Sequence, residues 1–99
     1  MAIYVVWKGD HDYEPALQVA KGPLIYMTEG YVNQLDISAM RAFFKPHIER
    51  MTEEDALLLS GPTIMNVVAA ALALNRLGML RLLLYRRGRY YERILTPLL

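Results

Sequence analysis

Four residues between a hydrophobic run and an alanine-rich segment have the composition of a ligand-binding turn. The run at 56–59 leads into Ser60-Gly61-Pro62-Thr63, and this order predicts a buried strand that turns directly into a helix. In open α/β sheets, ligands bind at the carboxyl ends of strands, where the next helix presents free amides. Gly61 lets a ligand approach the backbone, and the neighbouring residues add hydroxyl and amide groups. The sequence therefore predicts a cradle for a nucleotide or phosphate ligand made by Ser60, Gly61, Thr63, Asn66 and Arg86.

The same turn has a purely structural interpretation. Ser60 or Gly61 can cap the helix, and Pro62 suits its first position. The turn lacks the lysine and the glycine spacing of a Walker loop, and it is not a dinucleotide-binding fingerprint. A ligand site and a helix cap therefore stand as the two alternatives.

A second group of residues suits contact with nucleic acid. Arg86-Arg87-Gly88-Arg89 predicts a hairpin turn in which Gly88 adopts positive φ, and tyrosines lie on both sides of this turn. Because arginine contacts phosphates and tyrosine stacks on bases, one hypothesis is a nucleic-acid surface made by Arg87, Arg89, Tyr90 and Arg93. The alternative is a set of solvated charges that keep an edge strand from pairing. The net charge of +1 lacks the basic excess of dedicated nucleic-acid modules.

No group of residues predicts a reaction. Asp10-His11-Asp12 with Glu14 contains metal-ligand types, but one histidine among loop carboxylates is typical of a polar turn. Nothing in the sequence brings Ser60 to a histidine, and the acidic segment 53–55 is expected to lie in water. We therefore assign no catalytic residue, no metal site and no cofactor, and interpret the chain as a binding protein rather than an enzyme.

These candidate residues belong to one predicted α/β domain, residues 1–99. Hydrophobic patterns predict strands at 3–7, 24–27, 56–59, 79–85 and 90–95, and helices at 37–51 and 62–77. Pro15 opens a short helix in one interpretation of 13–21, while Pro46 kinks or divides the helix that Asp36 or Ser38 caps. Because strand-helix-strand occurs twice, we expect a mixed, mainly parallel sheet of 4–5 strands with a C-terminal β-hairpin. The apolar faces of the two earlier helices are expected to comprise Ala16, Leu17, Val19 and Ala20, and Ile37, Met40, Phe43, Phe44, Ile48 and Met51.

The predicted helix 62–77 is apolar nearly all round. Residues 67–74 contain no polar side chain, so we expect this helix to be covered on more than one side. Hydrophobic residues make up 55% of the 99-residue chain, which is more than so small a core can bury. A second copy packed on helix 62–77 accounts for both observations. The sequence therefore predicts a homo-oligomer, a dimer or larger.

The second half of the chain resembles small proteins of unassigned activity that are common in bacteriophage genomes. The acidic segment and strand at 53–62, the alanine-rich helix, the strand 81–85 and the tyrosine-bearing last strand carry this similarity. A fainter resemblance is to nucleotide-sensing CARF domains, in which a strand runs into a small-residue turn and a helix at a dimer interface. Ser60-Gly61-Pro62-Thr63 lacks the second glycine and the lysine of that loop. The two resemblances imply a phage origin and a nucleotide-binding dimer.

Charge and cysteine content limit the partners and the compartment. Residues 1–55 carry five basic and nine acidic side chains, whereas residues 56–99 carry six basic and one acidic. This asymmetry can steer an anion or join two copies. The absence of cysteine excludes disulfides and thiolate chemistry. With no signal-like segment and no membrane-spanning run, we expect a cytoplasmic protein, in the host cytoplasm if phage-encoded.

These observations lead to one main hypothesis for function and two alternatives. The main hypothesis is a small non-enzymatic interaction protein that acts as a homo-oligomer through helix 62–77. The alternatives are a nucleotide- or phosphate-binding domain that uses the turn at 60–63, and a nucleic-acid-binding protein that uses the hairpin at 86–93.

Overall fold

The computed structural model describes residues 1–97, so Leu98 and Leu99 of the predicted domain lie outside the described residues. Its strands are β1 (Ile3–Val5), β2 (Leu24–Tyr26), β3 (Ala56–Leu58), β4 (Leu80–Arg86) and β5 (Arg89–Leu95). They form one sheet in the order β2-β1-β3-β4-β5. The first four strands are parallel, and β5 is antiparallel to β4. The predicted mixed α/β sheet with a C-terminal hairpin is confirmed.

Helices cover the two faces of the sheet unequally. α1 (Ile37–Arg50) and α2 (Thr63–Leu77) pack together over one face, and a 3-10 helix (Glu14–Gln18) lies over the other. Alternate strand residues serve the two layers, because successive side chains of a strand point to opposite faces. Tyr4 and Leu57 thus face α1 and α2, while Val5 and Leu58 face the 3-10 helix. The α1–α2 layer also buries the methionines Met27, Met40, Met51 and Met65.

The path of the chain creates a switch point between β1 and β3. From β1 the chain crosses the 3-10 helix face and pairs as β2 on one side of β1. It then returns over the opposite face through α1 and enters β3 on the other side of β1. In doubly wound sheets, this reversal opens a crevice at the carboxyl ends of the two strands. The sequence did not predict this strand order.

α1 is one helix with Pro46 inside it, so the division considered at that proline does not occur. Asp36 caps it by accepting the Ala39 amide at 2.9 Å. The expected apolar face is only partly correct, because Ile37 and Phe43 are exposed by 42% and 49%. A 14-residue helix of about 21 Å overhangs three-residue strands of about 10 Å. The first turn of α1, with Ile37, therefore lacks cover, whereas Phe43 lies on the flank of the helix, away from the buried Met40, Phe44 and Ile48.

The 3-10 helix buries fewer residues than expected. Ala16 and Ala20 are buried, whereas Leu17 and Val19 are more than one-third exposed. The 3-10 helix ends at Gln18, so it faces the sheet through Ala16 alone, and Val19 lies beyond its end. The prediction that Leu17 and Val19 are buried is wrong.

Asp55 departs from the expectation of a solvated acidic segment. Its side chain is buried and accepts the amide of Ala2 at 2.7 Å and that of Thr52 at 2.8 Å. A buried carboxylate needs such partners. Asp55 therefore ties the residue before β1 to the start of β3 at the amino ends of these strands.

α2 begins at Thr63, one residue later than predicted, and ends at Leu77. Pro62 is the residue at its amino cap, and no side chain caps the helix by a hydrogen bond. The cap expected at Ser60 or Gly61 is therefore wrong, and Pro62 precedes the first helical position instead of occupying it. α1 flanks α2 in addition to the sheet, but Val67 remains 55% exposed and Ala71 is also exposed. Among residues 1–97, no helix has the length and apolar character needed to cross a membrane.

The β4–β5 hairpin turns at Arg87-Gly88, as predicted. Both residues have positive φ, at 50° and 85°. Positive φ at both central residues is the geometry of a type I′ turn, whose twist matches the paired strands. Only the glycine was expected to adopt this conformation. Tyr85 consequently lies opposite Tyr90, and Leu84 lies opposite Tyr91.

Candidate functional site

Ser60 joins the carboxyl ends of β1 and β3. Its hydroxyl accepts the Trp7 amide at 2.9 Å and donates to the Trp7 carbonyl at 2.8 Å. The Tyr13 hydroxyl donates to the same carbonyl at 2.9 Å. These bonds satisfy backbone groups where strand pairing ends, and they hold the two loops of the switch point together. Ser60 therefore fixes the crevice and does not offer a free nucleophile.

The Trp7 ring sits between two glycines. A Cβ atom at Gly61 would lie 2.8 Å from Trp7 Cβ, and one at Gly9 would lie 2.4 Å from the ring edge. Gly61 also has a φ of +77°, which side-chain-bearing residues rarely adopt. The indole Nε1 donates to the Gly30 carbonyl at 2.9 Å. Gly61 thus lets Trp7 pack closely against the turn, and it also lines the crevice.

Asn66 and Thr63 have different surroundings. The Asn66 side chain accepts the Ser60 amide at 2.9 Å and donates to the carbonyls of Gly61 and Pro62 at 3.3 and 3.2 Å. It therefore stabilises the turn from within. Thr63 is exposed at the first position of α2.

A cleft of about 360 Å³ opens at the switch point on the 3-10 helix face. The turn after β3 forms its floor, the loop after β1 forms one wall, and the β4–β5 hairpin forms the other. We name it the switch-point cleft, and it is lined by His11, Asp12, Tyr13, Leu59, Ser60, Gly61, Tyr85 and Tyr90. The Tyr85 and Tyr90 rings meet edge to face at 5.3 Å, and those of His11 and Tyr13 lie 6.1 Å apart.

Burial keeps two of the cleft phenols protonated. Tyr90 is 8% exposed, and burial, followed by Tyr13, Tyr85 and Asp12, raises its pKa to about 12. Burial also raises the pKa of Tyr13, against a smaller lowering by the Ser60 hydroxyl. Both side chains are therefore neutral at physiological pH. The cleft presents aromatic surface beside one carboxylate, that of Asp12.

The hairpin arginines lie away from this cleft. Arg86, Arg87 and Arg93 surround Tyr91 in a separate groove of about 280 Å³. The alternation along β5 separates the two sites: Tyr90 packs in the core on the 3-10 helix face, so Tyr91 points to the α2 face. Arg86 is thus separated from Ser60 and Gly61, with which the sequence grouped it. Tyr90 is likewise separated from Arg87 and Arg93, whereas Arg89 lines a further groove together with Tyr90 and the 3-10 helix residues Pro15 and Gln18.

The acidic loop after β1 forms a turn. Asp12 accepts the Glu14 amide at 3.0 Å. Across residues 1–97, His, Asp and Glu side chains nowhere gather in the groups of three that hold a metal ion. His47 lies in α1, edge to face with Tyr4 at 6.2 Å, and burial, together with Arg50, lowers its pKa.

Sequence reasoning missed Tyr13 and Tyr85 as members of the site. The signal for Tyr85 was available, because a two-residue turn at 87–88 places it beside Tyr90. Tyr13 had no such signal, since its position depends on the strand order. Comparison with known proteins found no matching family model, no matching curated protein and no matching solved structure.

The first prediction concerns the Ser60 bridge. Ser60→Ala removes both hydrogen bonds between the Ser60 hydroxyl and the Trp7 backbone. The half-buried amide of Trp7 is then left without a partner. We expect the free energy of unfolding, measured by urea denaturation, to fall by about 2 kcal/mol. Thr63→Ala, at the exposed start of α2, is the control and changes it by less than about 0.5 kcal/mol. If Ser60→Ala leaves the free energy of unfolding unchanged, the proposed bridge is contradicted.

The second prediction concerns alkaline stability. The folded protein retains the Tyr90 proton to about pH 12, whereas an unfolded tyrosine releases its proton near pH 10.0. This stability is complete below pH 10 and is lost as pH rises toward 12, by about 2 to 3 kcal/mol. Tyr90→Phe should lack that loss in denaturation curves measured across this range. Tyr85, the exposed neighbour of Tyr90, is the control: Tyr85→Phe should retain the loss of unfolding free energy at high pH.

Proposed function

We propose that this protein is a small-ligand-binding domain whose site is the switch-point cleft. The observation that carries the proposal is the convergence of four rings (His11, Tyr13, Tyr85 and Tyr90) on one cleft at a topological switch point. Open α/β sheets bind ligands at this position. Ser60, Trp7 and Tyr13 hold the walls by mutual hydrogen bonds, so the cleft is formed before a ligand enters.

Size and lining favour one planar ring system with polar substituents. A volume of about 360 Å³ is at the lower end of the roughly 300 to 1,000 Å³ range of ligand pockets. Tyrosine and histidine rings offer stacking and edge-to-face contacts. The Tyr13 hydroxyl already donates to Trp7, but the neutral Tyr90 phenol can donate to a ring nitrogen or carbonyl of a ligand. The Asp12 carboxylate can accept from an amino or hydroxyl group. A nucleoside carries all of these groups.

The sequence predicts that the protein contacts a ligand's phosphate. The lining of the cleft instead favours contact with the base and sugar of a nucleoside. No arginine or lysine lines the cleft, and Arg86 belongs to the groove on the opposite face. A phosphate on the ligand would therefore contribute little affinity. We propose binding without catalysis, because the Ser60 hydroxyl proton is already donated to Trp7.

The third prediction tests this site through the fluorescence of Trp7, the only tryptophan of the chain. Titration with adenosine, guanosine, cytidine and uridine should change the emission for at least one of them. The matching monophosphate should bind within about tenfold of its nucleoside. Tyr85→Ala, which removes an exposed cleft ring, should weaken binding by roughly tenfold or more.

The matched control lies on the same hairpin. Tyr91→Ala removes an exposed ring from the opposite face and should leave nucleoside affinity unchanged. No response to any nucleoside at millimolar concentration contradicts the proposal. Binding of inorganic phosphate alone, or equal losses in both variants, contradicts it as well.

The outer side of α2 supports a second proposal, self-association. Val67 and Ala71 are exposed on a helix that the sheet and α1 already flank, and Ile64 and Leu74 beside them are only half-buried. This leaves an apolar stripe along α2. A second copy of the chain is the partner we propose, since the stripe has no charged residue and the small Ala71 allows close helix approach.

The fourth prediction is the mass in solution. Analytical ultracentrifugation at micromolar concentration should give a multiple of the 11.4 kDa chain mass. Val67→Glu should shift the protein to the monomer, because it buries a charge in the interface. Gln18→Glu adds the same charge at an exposed position of the 3-10 helix, on the opposite face of the sheet, and serves as the control. A wild-type monomer at this concentration contradicts self-association.

A further inference from the structure

The α2 face of the hairpin carries a compact basic and aromatic surface that the proposed cleft function does not use. Three arginines and one tyrosine line a groove of about 280 Å³. We name it the hairpin arginine face, made of Arg86, Arg87, Tyr91 and Arg93. All four residues are exposed, and all lie on β4, β5 or the type I′ turn between them.

These arginines have no acidic partner within the described residues. The ion pairs of residues 1–97 are Lys45 with Glu49 and Arg81 with Glu92. Glu92, the one acidic side chain of the hairpin, is bound to Arg81 on the opposite face of the sheet. The positive charge of the hairpin arginine face is therefore available to an external anion.

Tyr91 gives this face a second kind of contact. Its ring is 41% exposed, and the Arg93 guanidinium lies 5.7 Å from the ring centre. A flat ring flanked by guanidinium groups is suited to stack on an unpaired base while the arginines contact adjacent phosphates. An isolated phosphate would use the arginines but leave the ring without a role.

The geometry of the face favours a single strand over a duplex. The four side chains lie along one face of a twisted two-stranded ribbon, and the five residues of β5 from Arg89 to Arg93 extend about 13 Å. Tyr91 can stack only on a base that is free of its neighbour. Duplex bases are already stacked, so only the arginines would contact a duplex.

We infer that the hairpin arginine face binds single-stranded nucleic acid, with Arg86, Arg87 and Arg93 on phosphates and Tyr91 on a base. The sequence pattern predicts base stacking by Tyr90. We assign this stacking to Tyr91, which lies with the arginines. Binding is sequence-tolerant, because neither stacking nor phosphate contact reads the edge of a base.

Fluorescence anisotropy of a labelled oligothymidine at low salt tests this inference. Three arginine contacts predict a slope of about −2 for log affinity against log salt, which is roughly a twentyfold loss between about 50 and 200 mM. Each Arg→Ala change should reduce the slope by about 0.7. The triple change to lysine keeps the charge and should preserve the slope. Tyr91→Ala should weaken binding by roughly tenfold with little change in slope.

Tyr85→Ala is the control, because Tyr85 lies on the cleft face of the same hairpin. It should leave oligonucleotide affinity unchanged while it impairs nucleoside binding, and Tyr91→Ala should do the reverse. The inference is overturned if a duplex of equal length binds as tightly, if affinity is independent of salt, or if both tyrosine variants weaken oligonucleotide binding equally. Circular dichroism confirms that each variant is folded.

Discussion

The bridge between Ser60 and Trp7 is the interaction on which the candidate site depends. The Ser60 hydroxyl accepts a hydrogen bond from the Trp7 amide and donates one to the Trp7 carbonyl, at the point where β1 and β3 stop pairing. Tyr13 reaches the same carbonyl from the far end of the loop. Without these bonds, the two loops would be joined only by the packing of Trp7 against Gly61 and by the strands below them. With them, the crevice that strand order creates becomes a fixed cleft.

The two faces of the hairpin carry different side chains: aromatic rings of the switch-point cleft on one face, and the arginine groove on the other. Because side chains alternate along β4 and β5, Tyr85 and Tyr90 turn toward the switch-point cleft, and Tyr91 and Arg93 turn toward the α2 side. Neighbours in sequence thus serve different surfaces. An aromatic cleft with one carboxylate and a positively charged groove therefore lie on opposite faces of one small hairpin.

The sequence was informative where structure is local and less so where distant segments meet. The apolar runs at β1 and β3 and the hairpin turn within 86–89 each follow from neighbouring residues, and the structure confirms them. The cap of α1 was predicted as Asp36 or Ser38, and the structure has Asp36. Strand order depends on which face the segment after β1 crosses, and that segment has weak periodicity. The role of Ser60 was missed because its partner lies 53 positions away in the sequence. Asn66 was likewise assigned to a ligand, since nothing local shows that its amide binds its own turn.

The methionines under α1 and α2 have a consequence for how this chain can diverge over evolutionary time. Met40, Met51 and Met65 are unbranched and flexible, and such side chains accept changes in their neighbours at low cost. The helical layer can therefore accumulate hydrophobic substitutions without losing its packing. Trp7 and Gly61 have no such freedom, because the ring fills the space that any side chain at the glycine would need. We expect relatives to differ most in the helices and least along the carboxyl edge of the sheet.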